Sequence, residues 1–178
     1  MNGAYDRASM KIAFGWLVLA VLSLVFAGIF ALLVALARTP VIGEMLPLGR
    51  DYLYVALVGH VVLAVVIWFL AFEGFFWVFS SSALIKKKVL SPALGWIALF
   101  FSGAGMALVV ISAVFGLGPA ELANYVPVLL TPVFFGGLIM FASGITLTLF
   151  NTFAALFSGK RDEALPAVAF GMGASAIA

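Results

Sequence analysis

Four stretches of this chain are apolar on every face for longer than the amphipathic helices of a soluble protein are. They run over residues 12–37, 52–80, 93–117 and 128–157. At 1.5 Å per residue each exceeds the roughly 30 Å hydrocarbon thickness of a bilayer, so each predicts a transmembrane helix. Helix is required because a backbone amide in hydrocarbon has no water to bond, and a helix satisfies these groups within one segment. Polar residues fall between the stretches as punctuation. Arg38-Thr39-Pro40 stops the first, Lys86-Lys87-Lys88 follows the second, Gly118-Pro119 ends the third, and Ser158-Gly159-Lys160-Arg161 follows the fourth. Trp16, Trp77 and Trp96 fall near stretch ends, where an interfacial aromatic belt would put them. A fifth apolar run, 166–178, makes only about 20 Å of helix, too short to span. It predicts that protein covers this end or that the chain continues. The expected fold is all-α: a polytopic transmembrane helix bundle with four full spans plus an incomplete fifth, in one domain over residues 1–178.

Composition strengthens this reading. The chain is 66% hydrophobic and 9% charged, whereas a soluble domain is about 25% charged. The first run is too long for the apolar core of a cleaved signal peptide, about 7–15 residues, so it predicts a retained helix. Cysteine is absent, which excludes disulfides, iron–sulfur clusters, Cys-ligated zinc and covalently attached haem within the chain. The basic residues occupy short loops, which implies no nucleic-acid partner. In an alternating topology, Arg7, Lys11, Lys86, Lys87, Lys88, Lys160 and Arg161 fall on one side, and only Arg38 and Arg50 on the other. Cytoplasmic loops carry the excess of Lys and Arg. The N-terminus is therefore expected in the cytoplasm, with the chain integral to the cell (inner) membrane and in contact with membrane lipid.

Few residues can carry chemistry. His60 is the sole histidine, about eight residues into the second stretch and so about 12 Å deep. An ionisable side chain there is a functional candidate, and neutral imidazole is an axial ligand of b-type haem. Gly59 before it would let a flat macrocycle approach the helix. The plainer reading is a histidine hydrogen-bonded to a neighbouring helix. Glu73 lies about 20 Å further along the same span. It could serve a proton path, approach the inner interface or bond a neighbouring hydroxyl. At 100° per residue the two sit some 220° apart around the helix and form no common site. Arg38 and Arg50 flank the first external loop, as haem-propionate contacts or as ordinary snorkelling side chains. Asn124, Tyr125 and Pro127 could cap the fourth helix. Asn151, Thr146, Thr148 and Thr152 form a polar set suited to joining helices. Gly103, Gly105, Gly136, Gly137 and Gly144 allow close helix approach. One histidine cannot build a multi-histidine metal centre, so the chain binds no copper of its own.

The stretch Val58-Gly59-His60-Val61-Val62-Leu63-Ala64-Val65-Val66-Ile67-Trp68-Phe69-Leu70-Ala71-Phe72 resembles helix II of haem–copper oxygen reductase subunit I, particularly its cbb3-like members. There a similar His-Val-x-Leu-x-Val-x-x-Trp-Phe-Leu-Ala-Phe run carries an axial ligand of the low-spin haem. Ala37-Arg38-Thr39-Pro40 ending helix I, Asn124-Tyr125-Val126-Pro127-Val128 opening helix IV, and Lys160-Arg161-Asp162 before a fifth helix fit the same pattern. The resemblance implies that His60 ligates a low-spin haem and passes electrons to an oxygen-reducing centre held elsewhere. This is cytochrome c oxidase chemistry, with cytochrome c or a similar donor feeding the complex. It covers only the first third of such a subunit. The copper and high-spin haem ligands and the opposite axial ligand would come from other histidine-bearing helices or subunits. The alternative is a haem-free helical accessory subunit of a respiratory complex. A small transporter fits less well, since the spans lack paired polar groups at the midplane.

The charge asymmetry generates a direct expectation. Because the chain has no native cysteine, Lys87→Cys creates a unique thiol. It should react with a membrane-impermeant maleimide in inverted vesicles and stay unlabelled in intact cells. Labelling from outside would reverse the topology.

Overall fold

The computed structural model describes residues 6–40, 50–122, 126–158 and 167–177. The chain forms an all-α bundle. Helix α1 is Arg7–Ala37, α2 Arg50–Val61, α3 Trp68–Phe79, α4 Pro92–Val114, α5 Pro132–Phe157 and α6 Ala167–Ile177. Between α2 and α3 the helix continues through a π turn, Val62–Ile67, and a second π turn, Ser80–Leu84, follows α3. The second span is thus one rod, Tyr52–Leu84, and with α1, α4 and α5 it makes four helices long and apolar enough to cross a membrane. Helix α6 is shorter.

Packing follows side-chain size. On α4, Ala98, Ser102, Gly105 and Val109 recur every three or four residues and are buried. They meet Gly137, Phe141 and Gly144 of α5. A Cβ on Gly105 would lie 2.5 Å from the Gly137 carbonyl oxygen, and one on Gly144 would strike the Ser102 hydroxyl and the Ala98 carbonyl. Ser102 Oγ donates to the Phe141 carbonyl across this contact at 3.2 Å. Lipid is as apolar as leucine, so close backbone approach of this kind is what drives helices together in a membrane. Gly103 and Gly136 have nothing within 4 Å of a built Cβ; two of the five expected packing glycines face away from the contact.

Polar side chains tie the helix ends at the basic end of the bundle. Asp6 caps α1, accepting from the Ser9 amide at 3.1 Å and the Ser9 hydroxyl at 2.6 Å. Ser9 Oγ in turn accepts from the Val89 amide, 3.3 Å away. Asn151 of α5 pairs with the backbone of Ser91, the residue capping α4: Ser91 N donates to Oδ1 at 2.8 Å and Nδ2 donates to the Ser91 carbonyl at 3.0 Å. Lys86 adopts a left-handed φ of 60°. That conformation ends the rod, and the Lys87 amide reaches back to the Ser81 carbonyl at 2.9 Å.

Several expected features differ. The third span stops at Val114, and the chain then turns through Gly116 and Gly118, both at positive φ. A two-residue hairpin follows: β1 (Ala120–Glu121) pairs antiparallel with β2 (Val128–Leu129), Ala120 opposite Leu129 and Glu121 opposite Val128. The fourth span therefore begins at Pro132 and not at residue 128. Proline is suited to that first helical position because its fixed φ is helical and its missing N–H was unpartnered anyway. Thr131 occupies the N-cap position and Pro127 is buried in the hairpin, so Pro127 is not the cap; Asn124 and Tyr125 lie outside the described residues. Trp16 and Trp77 are not belt residues. Trp16 is fully buried against Gly74, and Trp77 packs edge-on against Phe153, its indole N–H donating to Ser175 of α6 at 3.0 Å. Trp96 alone of the three is exposed.

Two expectations follow. Gly144→Ala should cost about 1–3 kcal/mol of unfolding free energy in detergent, the usual penalty of overpacking. Gly103→Ala should be neutral or slightly stabilising; equal effects would mean the α4–α5 contact is not as close as described. Separately, the hydrogen bond from the Ser9 hydroxyl, with help from its amide and from Lys88, holds the Asp6 carboxyl below its usual range. A lowered pKa contributes stability that is present above the ordinary carboxylate value and disappears as pH falls through the lowered one. Asp6→Asn should accordingly flatten the acid limb of the stability curve measured by denaturant titration.

Candidate functional site

The centre of the bundle is one stripe of α1: Trp16, Ala20, Ser23, Ala27, Phe30 and Val34 are buried at intervals of three or four residues. Its middle members are small, which brings the second span close enough for backbone groups to be bonded by side chains. Ser23 Oγ donates to the Leu63 carbonyl at 2.6 Å. The same carbonyl also receives the Trp68 amide from five residues on, as a π turn requires. One turn along α1, the Ala27 carbonyl lies 3.0 Å from His60 Nδ1. A carbonyl can only accept, so Nδ1 carries the proton. In neutral imidazole Nε2 then holds the free lone pair. This is the tautomer that a metal-bound histidine adopts when Nδ1–H is bonded to a backbone carbonyl. The His60 side chain is only half-buried, so part of it lies open beside the cradle.

The other predicted residues lie elsewhere. Gly59 does not leave space for a flat ring, because Phe30 and Ala113 already occupy it: a Cβ there would be 2.9 Å from Ala113 Cβ and 3.2 Å from the Phe30 ring. Glu73 lies on α3 beside Gly74, and its Oε2 is buried with no partner among the described residues. The π turn acts as roughly one inserted residue, which reduces the angle between His60 and Glu73 from the expected 220° to roughly 120°. They still do not share a face. Arg38 is exposed at the C-cap of α1, and its backbone N–H bonds Val34 and Leu36 carbonyls. Arg50 begins α2; its side chain lies outside the description. The structure brings neither Arg38 nor Glu73 into hydrogen-bond range of His60. Among the described residues no three His, Cys, Asp or Glu side chains converge as a metal site would require.

Of the polar set on α5, Asn151 makes the Ser91 clamp, Thr146 is exposed and bonds its own helix at the Ala142 carbonyl, and the buried hydroxyls of Thr148 and Thr152 have no partner among the described residues. Ser23 and Ala27 escaped the sequence reading. A signal for them existed: Ser23-x-x-x-Ala27 is a small-residue pair one turn apart, at the register that recurs along the first span.

Compared with known proteins, the chain is 42% identical over 132 residues to an uncharacterized protein of Aquifex aeolicus (strain VF5), a match that takes in 74% of this chain and 31% of that relative. No family description matches the chain, and no solved structure resembles it. The matched stretch is thus about a third of the length of the relative it resembles.

Proposed function

We propose that this chain holds one axial ligand of a low-spin haem, through His60 Nε2, as the electron-transfer portion of a membrane-bound terminal oxidase. The observation that carries the reading is the Nδ1–H bond to the Ala27 carbonyl, which leaves the second nitrogen as a lone-pair donor inside a helix bundle. The resemblance of the His60–Phe72 run to a ligand-bearing helix points the same way. Bound haem would supply one-electron exchange. The Ala27 carbonyl fixes the imidazole, and Arg38 at the end of α1 and Arg50 at the start of α2 are the cations this reading assigns to the carboxylates of a haem. Glu73 belongs to this proposal as a proton-path candidate on the basic side. The second axial ligand, the copper site and contact with cytochrome c or a similar donor fall to other helices or subunits. The length of the Aquifex relative leaves room for such helices. The orientation inferred from charge, with the N-terminus in the cytoplasm of the inner membrane, places His60 in the outer half.

A haem-free accessory subunit is the second reading, and the same hydrogen bond favours it, because a histidine that merely joins α1 to α2 would also use Nδ1. The two readings part at Nε2. His60→Leu keeps volume and apolarity. Ligation predicts that this variant loses the low-spin bands in a reduced-minus-oxidised spectrum of the purified complex. A helix–helix contact predicts unchanged bands and a stability loss of about 1–2 kcal/mol at most. Intact low-spin bands in the variant would sink the ligand assignment.

A further inference from the structure

We propose that Ser23 is a positioning residue for His60: its hydroxyl holds the π turn open at Leu63, and that turn sets the direction of the imidazole. The use made of the free Nε2 rests on the ligand reading above; the positioning itself does not.

The argument starts from what a hydroxyl normally does in a transmembrane helix. Ser112, Ser143 and Thr146 each donate to the carbonyl four residues earlier in their own helix, the ordinary local choice. Ser23 does not. Fully buried, it donates across to a carbonyl forty residues away, at 2.6 Å. Its target is the one carbonyl that also takes the closing amide of the first π turn. A π turn forms poorly by itself and persists where something supports it.

The turn lies between two points at which the rod is seated on its neighbours. Above it, Gly59 is seated against Phe30 and Ala113; below it, Gly74 is seated against Trp16. A continuous α-helix would set the two glycines about 60° apart around the axis, and one absorbed residue sets them about 40° apart in the opposite sense, a turn of about 100° between the halves of the rod. The turn thus sets the direction of one half of the rod against the other, and the Ser23 hydroxyl adds a second donor to the Leu63 carbonyl within it. His60 lies two residues before Val62, where the turn starts, and its Nδ1 meets the Ala27 carbonyl. Ser23 and Ala27 thus act as a pair, one turn apart on α1: a donor that sets the turn and an acceptor that sets the proton.

The single histidine makes the test clean. The full chain, labelled with ¹⁵N-histidine, produced in a haem-deficient host and placed in lipid nanodiscs, gives one imidazole whose nitrogen shifts report where the proton sits. Wild type should show the proton on Nδ1 alone. Ser23→Ala should lose this state to the mixed Nδ1–H and Nε2–H signals of an unheld ring, and Ser23→Thr, which keeps the hydroxyl, should restore it. An undivided Nδ1–H signal in Ser23→Ala overturns the proposal, as does a Ser23→Thr variant that behaves like Ser23→Ala. If Ser23→Ala does not accumulate, Ser23→Cys, a weaker donor of similar size, replaces it with the same two outcomes. Haem-loaded His60→Leu keeps the two ideas apart. Retention of its low-spin bands ends the ligand reading and leaves the tautomer result standing.

Discussion

A backbone group in hydrocarbon has only protein to bond to, and this constraint governs the structure around α1. The second span departs from α-helical spacing at Val62–Ile67. There α1 adds a hydroxyl to a carbonyl that also holds the Trp68 amide, and offers a carbonyl of its own to the imidazole one turn away. Hydrogen bonds between transmembrane helices contribute only about 0.6–2 kcal/mol each, whereas an unsatisfied backbone group costs several. The asymmetry explains the arrangement. These bonds do not drive association strongly; they fix how the two helices meet.

Association itself comes from size. The α4–α5 contact is made by Gly105, Gly137 and Gly144 with Ser102 between them, and α1 meets the second span through Trp16, Ser23, Ala27 and Phe30. Polar chemistry at the basic end then closes the assembly. Ser9 links the start of α1 to Val89, and Asn151 clamps Ser91. Both are bonds between a side chain and the backbone of a connecting loop, so the loop between the second and third spans is fixed at two points although it has almost no regular structure.

The four spans were legible because a membrane helix announces itself by length and uniform apolarity, which survive any error in register. The interruptions were not. A π turn has no residue signature, and Val62–Ile67 reads as ordinary aliphatic helix. The hairpin at Ala120 and Leu129 is too short for alternation to register. Trp16 and Trp77 misled because tryptophan favours interfaces on average, while here two small neighbours, Gly74 and Ser175, give each indole a specific berth inside the bundle. His60 was visible as the one ionisable imidazole in an apolar run, but the partner that decides its tautomer is the backbone of an alanine, which no side-chain pattern can mark.

The Asn151–Ser91 pair has a consequence for how the protein is made. Every residue of the His60 cradle, from Ser23 to Trp68, belongs to the first two spans, whereas the clamp joins residues 91 and 151. Leaving the ribosome in chain order, the first pair of helices can dock before the third has been synthesised. The second pair locks only when residue 151 arrives. The bonds between Ser23, Ala27, His60 and Leu63 can therefore form before the Asn151–Ser91 clamp exists, and the seat of Gly59 on Ala113 is added only when the third span follows.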